Sequence, residues 1–219
     1  MIGIVVALDS EAKGFISILK NKTETQKACK KLVLGEVSGE KIALIVSGIG
    51  KVNAAFSSQI LIDLFSPKYI LNFGTAGGLK KEISVADIYA INQCAQYDFD
   101  LSELDNVKRG YIQDYDTVFF DVASSGIPFL NKGILCSGDR FSDSIIDYNN
   151  IVEMGANVKD MEGAAIAEVC AANKIPLYVI KGITDVYGNN STAEQFKNNL
   201  DSVCKKFPET VKKVIEYIK

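Results

Sequence analysis

Hydrophobic and polar positions follow two different periods along this chain. Short apolar runs, such as Gly3–Leu8 and Pro176–Thr184, are bounded by polar or glycine residues and predict buried β-strands. The segments Asp9–Lys20 and Lys51–Phe65 carry apolar residues every three or four positions, which predicts amphipathic helices. Because strands and helices alternate, the pattern predicts a largely parallel, twisted sheet covered by helices on both faces.

The remaining segments agree with this architecture. Two runs, Lys31–Val37 and Lys41–Val46, flank Ser38-Gly39-Glu40 and predict a β-hairpin. The glycine-rich segment Gly74–Gly78 predicts a turn, whereas the polar stretch Gln96–Gln113 predicts no particular element. Further strands are predicted at Tyr69–Phe73, Val85–Asn92 and Gly133–Ser137, and further helices at Met161–Asn173 and Glu194–Ile218.

The expected fold is a three-layer α/β/α domain around a central mixed, largely parallel twisted sheet, and it spans residues 1–219. The first helix is expected to begin with Asp9 or Ser10 as its N-cap. Five apolar residues are expected on the inner face of the second helix, namely Val52, Ala55, Ile60, Leu61 and Leu64.

Composition and charge exclude several classes of protein. The chain has 219 residues, with 24 Lys and Arg against 27 Asp and Glu, for a formal net charge of −3. Only two of the basic residues are arginines, Arg109 and Arg140, so we expect no basic face for nucleic acid. No apolar run approaches the roughly 20 residues that span a bilayer, and we expect no membrane partner. The run Ile2–Leu8 lacks a basic flank and predicts a core strand rather than a signal peptide.

The chain has no histidine, and this limits its chemistry. Ser-His-Asp and Cys-His triads, His-ligated zinc and a histidine base are all excluded. Acid and base groups must therefore be carboxylates, Lys, Tyr or Cys. The five cysteines are widely spaced and form no C-x-x-C pair, which is typical of reduced thiols in a cytoplasmic protein.

Acidic and glycine residues gather where the predicted strands end. Glu11 follows the first strand and Asp185 the last, while Gly48-Ile-Gly50 and Gly74–Gly78 follow two others. A third carboxylate, Glu162, begins an Ala-rich helix. If these strands are parallel neighbours, their carboxyl ends share one edge, where α/β proteins bind ligands.

Each of these residues has a structural and a functional interpretation. Glycine turns let a ligand approach the backbone closely, and they also serve as plain strand–helix turns. Glu11 suits the positive end of a helix dipole, and Asp185 suits a capping position for the following loop. A carboxylate at the end of a buried strand is also partly desolvated, which raises its pKa towards that of a useful general acid. The residues alone leave both interpretations open.

Five sequence blocks narrow the choice. They are Ser47–Ala55, Asn72–Gly78, Ser137–Asp139, Asp160–Ala165 and Gly182–Asp185. In this order and spacing they resemble the 5′-methylthioadenosine/S-adenosylhomocysteine nucleosidases of the nucleoside phosphorylase superfamily, over nearly the whole chain. The resemblance implies a three-layer α/β fold, usually a homodimer, that cleaves the N-glycosidic bond of adenine thionucleosides with water. It implies no metal and no organic cofactor.

The resemblance also implies roles for individual residues. Asp185 would be the general acid that protonates adenine N7, and Glu11 would orient and deprotonate the attacking water. Glu162 would bind the ribose hydroxyls, with Met161 packed beneath the sugar. The other expected substrate contacts are Phe141 stacked on adenine, the backbone of Ser142 at its edge, Thr75, Ala76 and Gly77 beside the base and the acid, and Ile49 at the alkylthio tail.

Some positions depart from the family and leave alternatives open. Asn72 stands where the related phosphorylases carry a phosphate-binding arginine, so the resemblance favours hydrolysis over phosphorolysis. Lys181 stands where many members have arginine, and Asp160 is one methylene shorter than the usual acid. The alternatives are a purine nucleoside phosphorylase, a hydrolase of another adenosine-like or futalosine-type nucleoside, and a nucleoside-binding or storage protein. The apolar residues around Ile60–Phe65 add to the expectation of a homodimer.

Overall fold

A computed structural model describes residues 1–219, in which ten strands form one mixed sheet with helices on both of its faces. The strands are β1 (Ile2–Val6), β2 (Lys20–Lys27), β3 (Lys30–Val37), β4 (Glu40–Val46), β5 (Ile70–Gly78), β6 (Ile88–Gln96), β7 (Phe120–Asp121), β8 (Asn131–Ser137), β9 (Val158–Asp160) and β10 (Leu177–Val186). The helices are α1 (Asp9–Ile18), α2 (Lys51–Phe65), α3 (Ser102–Asp105), α4 (Ile145–Glu153), α5 (Gly163–Asn173), α6 (Thr192–Cys204) and α7 (Phe207–Tyr217).

The sheet brings the ends of distant strands to one edge. Strands β4, β1, β5 and β10 are consecutive parallel neighbours, so their carboxyl ends lie side by side. Strand β10 also pairs with β6, and the pairings β6–β8, β8–β9 and β9–β5 close a ring of five strands. The predicted mixed, largely parallel α/β fold is confirmed, and the ring closure is an addition to it. Because strands from both ends of the chain share this sheet, we propose that residues 1–219 form one domain.

Two apolar layers hold the sheet between the helices. On one face, Leu61 of α2 and Ile166 of α5 belong to the same buried cluster as the sheet residues. On the other face, Phe73 of β5 packs its ring against Phe15 of α1 and Phe207 of α7, at centroid distances of 5.5 and 5.3 Å. Strand β5 is therefore fixed from both sides. None of the helices is long and apolar enough to span a lipid bilayer.

The glycine-rich segment Gly74–Gly78 is not a turn. It continues β5 and pairs along its length with β10, from Gly74 opposite Lys181 to Gly78 opposite Val186. The prediction failed because a run of glycines can either end a strand in a turn or make room within a strand for another group to approach closely. The second reason applies here, as the site geometry shows.

Three further strands were not predicted, namely β2, β9 and the two-residue β7. Strand β2 has eight exposed residues, all of them polar, and lies at the edge of the sheet, where it pairs only with β3. It carries no apolar pattern because neither of its faces is covered. Strand β9 has only three residues. Strand β6 runs over Ile88–Gln96 rather than over the predicted Val85–Asn92.

The helices also differ from prediction in detail. Leu8, not Asp9 or Ser10, is the N-cap of α1. The predicted helix Glu194–Ile218 is two helices, because Pro208 lacks an N–H group and stands in the first turn of α7. Helix α2 turns mainly small residues inward, namely Ala54, Ser57 and Ser58 beside Leu61 and Ile62, which permits its close packing on α5. Of its predicted inner-face residues, only Leu61 is buried, and Val52 and Leu64 are exposed.

Candidate active site

A cavity lined by 18 residues opens where the carboxyl ends of the parallel strands meet. No three Cys, Asp or Glu side chains of the chain are arranged to hold a metal ion. The cavity brings together all ten residues of the predicted site, which are Glu11, Ile49, Thr75, Ala76, Gly77, Phe141, Ser142, Met161, Glu162 and Asp185.

Glu11 is buried and held at both carboxylate oxygens. Its Oε1 accepts hydrogen bonds from the backbone N–H of Thr75 at 2.6 Å and from the Thr75 hydroxyl at 2.7 Å. Its Oε2 accepts the backbone N–H of Leu8 at 3.0 Å, which closes the first turn of α1. A Cβ at Gly74 would stand 3.0 Å from Oε1, so this glycine makes room for the carboxylate. Glu11 therefore both caps the helix and presents a fixed carboxylate to the cavity.

Asp185 reaches the cavity because of a β-bulge. Ile183 pairs with Ala76 and Asp185 with Gly77, so Thr184 is an extra residue in β10. The Thr184 hydroxyl donates to Oδ1 of Asp185 at 2.7 Å, while a Cβ at Gly77 would stand 2.8 Å from Oδ2. Burial raises the pKa of Asp185, and the Thr184 hydroxyl partly opposes this effect. This environment favours a carboxyl group that holds a proton and can donate it.

Glu162 is the residue before α5 and joins two loops at the cavity. Its Oε1 accepts the backbone N–H of Gly50 at 2.9 Å. Gly50 and Gly48 have φ angles of 100° and 82°, a region that favours glycine, and this conformation directs the amide towards the carboxylate. Burial, followed by the nearby charge of Asp160, raises the pKa of Glu162 to about 7, while Lys181 opposes the rise.

Asp160 is held by three partners inside the protein. The Lys181 ammonium lies 2.8 Å from its Oδ2. The Ser137 hydroxyl donates to its Oδ1 at 2.5 Å, and the backbone N–H of Gly163 donates to its Oδ2 at 2.9 Å. Burial acts to lower the pKa of Lys181, but the carboxylates of Asp160 and Glu162 outweigh burial and raise it. Lys181 is therefore a permanent positive charge that faces two carboxylates.

A second part of the cavity is formed by the loop before α4. Phe141 is half exposed, and its ring meets Phe196 edge to face with centroids 5.6 Å apart. The Ser142 hydroxyl donates to Oδ2 of the buried Asp147 at 2.5 Å. The Arg140 guanidinium lies 3.6 Å from the other oxygen of Asp147. Asp147 therefore anchors the loop that carries the aromatic ring.

Some residues that line the cavity were not predicted. Lys159 was missed because the short strand β9 has no periodic pattern, although it directly precedes the Asp160–Ala165 block. Phe196 lies on α6, where the sequence predicted a helix but no site residue. The other lining residues outside the predicted ten are Ala7, Leu8, Arg140, Asp160, Thr184 and Thr192.

The sequence matches the model of the phosphorylase superfamily over residues 1–216. It is 33% identical to the 5′-methylthioadenosine/S-adenosylhomocysteine nucleosidase of Buchnera aphidicola, over 98% of this chain and 97% of the relative. The nucleosidase of the same name from Bacillus subtilis is 30% identical, over 99% of both chains. Among solved structures, the 5′-methylthioadenosine/S-adenosylhomocysteine nucleosidase from Colwellia psychrerythraea in complex with adenine has a TM-score of 0.88 at 27% identity. The match covers 96% of this chain and 92% of that one. A futalosine hydrolase of Helicobacter pylori shares the fold, with a TM-score of 0.89 at 24% identity, over 99% of this chain and 97% of that one.

Proposed function

This chain belongs to the phosphorylase superfamily and, within it, to the 5′-methylthioadenosine/S-adenosylhomocysteine nucleosidases, and we propose that it hydrolyses the N-glycosidic bond of these two nucleosides to release adenine and the thioribose. One observation carries the proposal. Two carboxyl groups, Glu11 and Asp185, face the same cavity in different environments. Glu11 accepts three hydrogen bonds from Thr75 and Leu8, whereas burial raises the pKa of Asp185 and so favours its protonated form.

Asp185 acts as the general acid. When the bond between C1′ and the base nitrogen breaks, its electron pair moves into adenine, and N7 takes the proton of Asp185. The Thr184 hydroxyl, 2.7 Å from Oδ1, orients the carboxyl group for this transfer. Protonation of a leaving base by a positioned acid contributes roughly 10²–10⁴-fold to the rate.

Glu11 activates the water that replaces adenine. The carboxylate is held rigidly by Thr75 and Leu8, so it accepts the water's proton without reorganising. The water oxygen bonds to C1′, and the proton goes to Glu11. Carboxylates thus supply both proton steps, as other glycoside hydrolases also do.

The other cavity residues bind the substrate. Glu162 accepts hydrogen bonds from the ribose hydroxyls, and Met161 packs against the sugar. Phe141, braced by Phe196, stacks on adenine while the backbone of Ser142 reads the base edge. Thr75, Ala76 and Gly77 line the base and the acid, and Ile49 lies at the alkylthio tail.

The positions of the two arginines favour water over phosphate as the second substrate. Arg109 pairs with Asp100 at 2.7 Å, and Arg140 lines the cavity with its guanidinium 3.6 Å from Asp147, so neither stands at the position of the phosphorylases' arginine. Asn72, at the position of the phosphorylases' arginine, donates to the backbone carbonyl of Val5 at 2.9 Å inside the sheet. A phosphate at that position would lack the forked donor that phosphate sites commonly use.

The test is the release of adenine from methylthioadenosine, S-adenosylhomocysteine and adenosine, each with and without phosphate. We expect adenine and an unphosphorylated thioribose at a rate that does not depend on phosphate. A sugar 1-phosphate that forms only with phosphate would identify a phosphorylase instead. Absence of any released base would overturn the proposal and favour a nucleoside-binding protein.

We also propose that the protein is a cytoplasmic homodimer. A groove between α2 and α5 is lined by Val52, Ala55 and Val169, and 75% of the Val52 surface is exposed. We call this groove the α2–α5 surface. A second copy of the chain is the occupant that the family resemblance favours. All five cysteines are free thiols, which supports a reducing compartment.

A further inference from the structure

Lys159 and Asp185 face each other across a glycine. In the sheet, Lys159 of β9 pairs directly with Gly77 of β5, and Gly77 pairs directly with Asp185 of β10. Directly paired residues on neighbouring strands project to the same face of a sheet. Because Gly77 has no side chain, nothing of β5 stands between the lysine and the carboxyl group.

The β-bulge makes this arrangement possible. Without the extra residue Thr184, Asp185 would lie on the same face as Ile183, which is buried in the apolar cluster that contains Val158. With it, Asp185 turns to the opposite face, which is also the face of Lys159, the neighbour of Val158. The sheet therefore places an acid and a cation on one face at the end of three adjacent strands.

The ammonium of Lys159 is poorly satisfied by the protein itself. Its side chain lines the cavity and is only 13% exposed. The one carboxylate within 4 Å is Asp147, whose Oδ2 is 3.6 Å from Nζ, beyond hydrogen-bond distance. That oxygen already accepts the hydroxyl of Ser142. Nζ also lies 5.2 Å from the centre of the Tyr97 ring. This cation–π contact stabilises the positive charge but supplies no hydrogen-bond acceptor for its N–H groups.

The charges around both groups are few. Asp185 is surrounded by Asp143, Lys159 and the Thr184 hydroxyl. Burial raises the pKa of Asp185 most, Asp143 adds to the rise, and Lys159 opposes it. Around Lys159, burial lowers the pKa most, Asp147 and Asp185 raise it, and Arg140 lowers it. Lys159 therefore lowers the pKa of Asp185, and Asp185 raises the pKa of Lys159.

We propose that Lys159 is a positioning residue for the reaction, acting through Asp185 by stabilising the carboxylate that remains after the acid has given its proton to adenine. This inference rests on the proposed function and adds a residue to it. When the proton passes from Asp185 to adenine, a neutral carboxyl group becomes a carboxylate, and its attraction to the positive charge of Lys159 stabilises this state. The positive charge makes Asp185 a stronger acid without touching the substrate's bond.

The experiment compares pH profiles of kcat/KM for methylthioadenosine in the wild type, Lys159→Met and Lys159→Arg. The alkaline limb of this profile reports the essential acid of the free enzyme. We expect Lys159→Met to move that limb upwards by about 0.5–1 pH unit and to lower the plateau of kcat several-fold. Lys159→Arg keeps the charge, so its limb should stay at the wild-type position. Lys22→Met, on the exposed strand β2, removes one positive charge elsewhere and is the matched control.

The outcomes separate this inference from the proposed function. A limb that stays in place in Lys159→Met, or that moves equally in Lys159→Arg, overturns the role of the charge. A merely structural role would lower kcat/KM at every pH without moving the limb. If Lys159→Met does not fold, Lys159→Gln serves as the second neutral variant. A wild type that releases no adenine overturns the proposed function but not the interaction between Lys159 and Asp185. In that case NMR should show that Asp185 titrates at a higher pH in Lys159→Met than in the wild type.

Discussion

Lys181 and Asp160 form an ion pair that is almost completely excluded from solvent. Their charged atoms lie 2.8 Å apart, and the two side chains are 2% and 1% exposed. Because Glu162 adds a second negative charge beside the pair, one ammonium balances two carboxylates at the wall of the cavity. The pair therefore links the stability of the fold to the protonation of the residue proposed to bind ribose.

Removing this ammonium should destabilise the protein. Lys181→Met leaves Asp160 buried without a cation, and breaking a buried pair in this way costs about 3–5 kcal/mol of the free energy of unfolding. Urea unfolding monitored by circular dichroism at pH 7 measures the loss. Lys181→Arg keeps the charge and should lose much less stability. If the two variants are equally unstable, packing and not charge is the contribution of Lys181.

The acid assignment predicts a separation of turnover from binding. Asp185→Asn keeps the shape of the side chain but has no proton to give to the leaving base, so kcat should fall by about 10²–10⁴-fold. KM for methylthioadenosine should change by less than about tenfold, since the amide still lines the cavity. Steady-state kinetics measures both constants. Equal losses in adenine binding and in turnover would contradict the assignment.

Glu162 should make the stability of the protein depend on pH. Its pKa is raised from 4.5 in the unfolded chain to about 7 in the folded protein. The folded state therefore holds this proton more tightly, and the resulting stability is present below about pH 4.5 and is lost as the pH rises through about 7. The loss is on the order of 3 kcal/mol.

The measurement is the free energy of unfolding between pH 5 and 8, compared with Glu162→Gln. The glutamine has no charge to titrate, so the difference between the two proteins should grow in its favour as the pH rises. A difference that is independent of pH would show that Glu162 is ionised throughout this range.

The α2–α5 surface predicts a dimer that a single charge disrupts. Val52→Asp places a carboxylate in the groove, where a second copy would bury it without a partner. We expect sedimentation velocity at micromolar concentration to show a dimer for the wild type and a monomer for this variant. Ile18→Asp is the control, since Ile18 is exposed on α1, which packs on the opposite face of the sheet from α2. A wild type that sediments as a monomer would contradict the proposed dimer.

The sequence predicted correctly those elements whose residues are determined by burial alone. The apolar strand at Ile2–Val6 and the hairpin around Ser38–Gly39 are where the pattern places them, because burial alone determines those residues. The ten site residues meet in one cavity because parallel strands bring their carboxyl ends together. What remained open was the role of each residue. Glu11, for example, fits a cap and a base equally well, and in the structure it also closes the first turn of α1.

The sequence could not predict features that depend on partners distant in the chain. Strand β2 is held by its pairing with β3 and by no buried side chain of its own. Exposed Val52 breaks the expected inner face of α2, because the helix packs through small residues instead. The glycines of β5 were misread for the same reason. The carboxylates that occupy their missing side-chain space come from α1 and β10, far away in the sequence.

A substitution at a glycine of β5 should lower activity while leaving the stability of the fold nearly unchanged. In Gly77→Ala the new Cβ would stand 2.8 Å from Oδ2 of Asp185. This oxygen is the far end of a side chain that lines an open cavity, so it can move aside at small cost to the fold. The movement displaces the acid from the base, and misplacement by about 1 Å costs on the order of 10²-fold in rate. We expect a melting temperature close to that of the wild type together with a kcat reduced by that factor. Gly126→Ala, where a Cβ meets no atom within 4 Å, is the control and should alter neither quantity. A Gly77→Ala protein with full activity would show that Asp185 need not occupy this position to protonate the base.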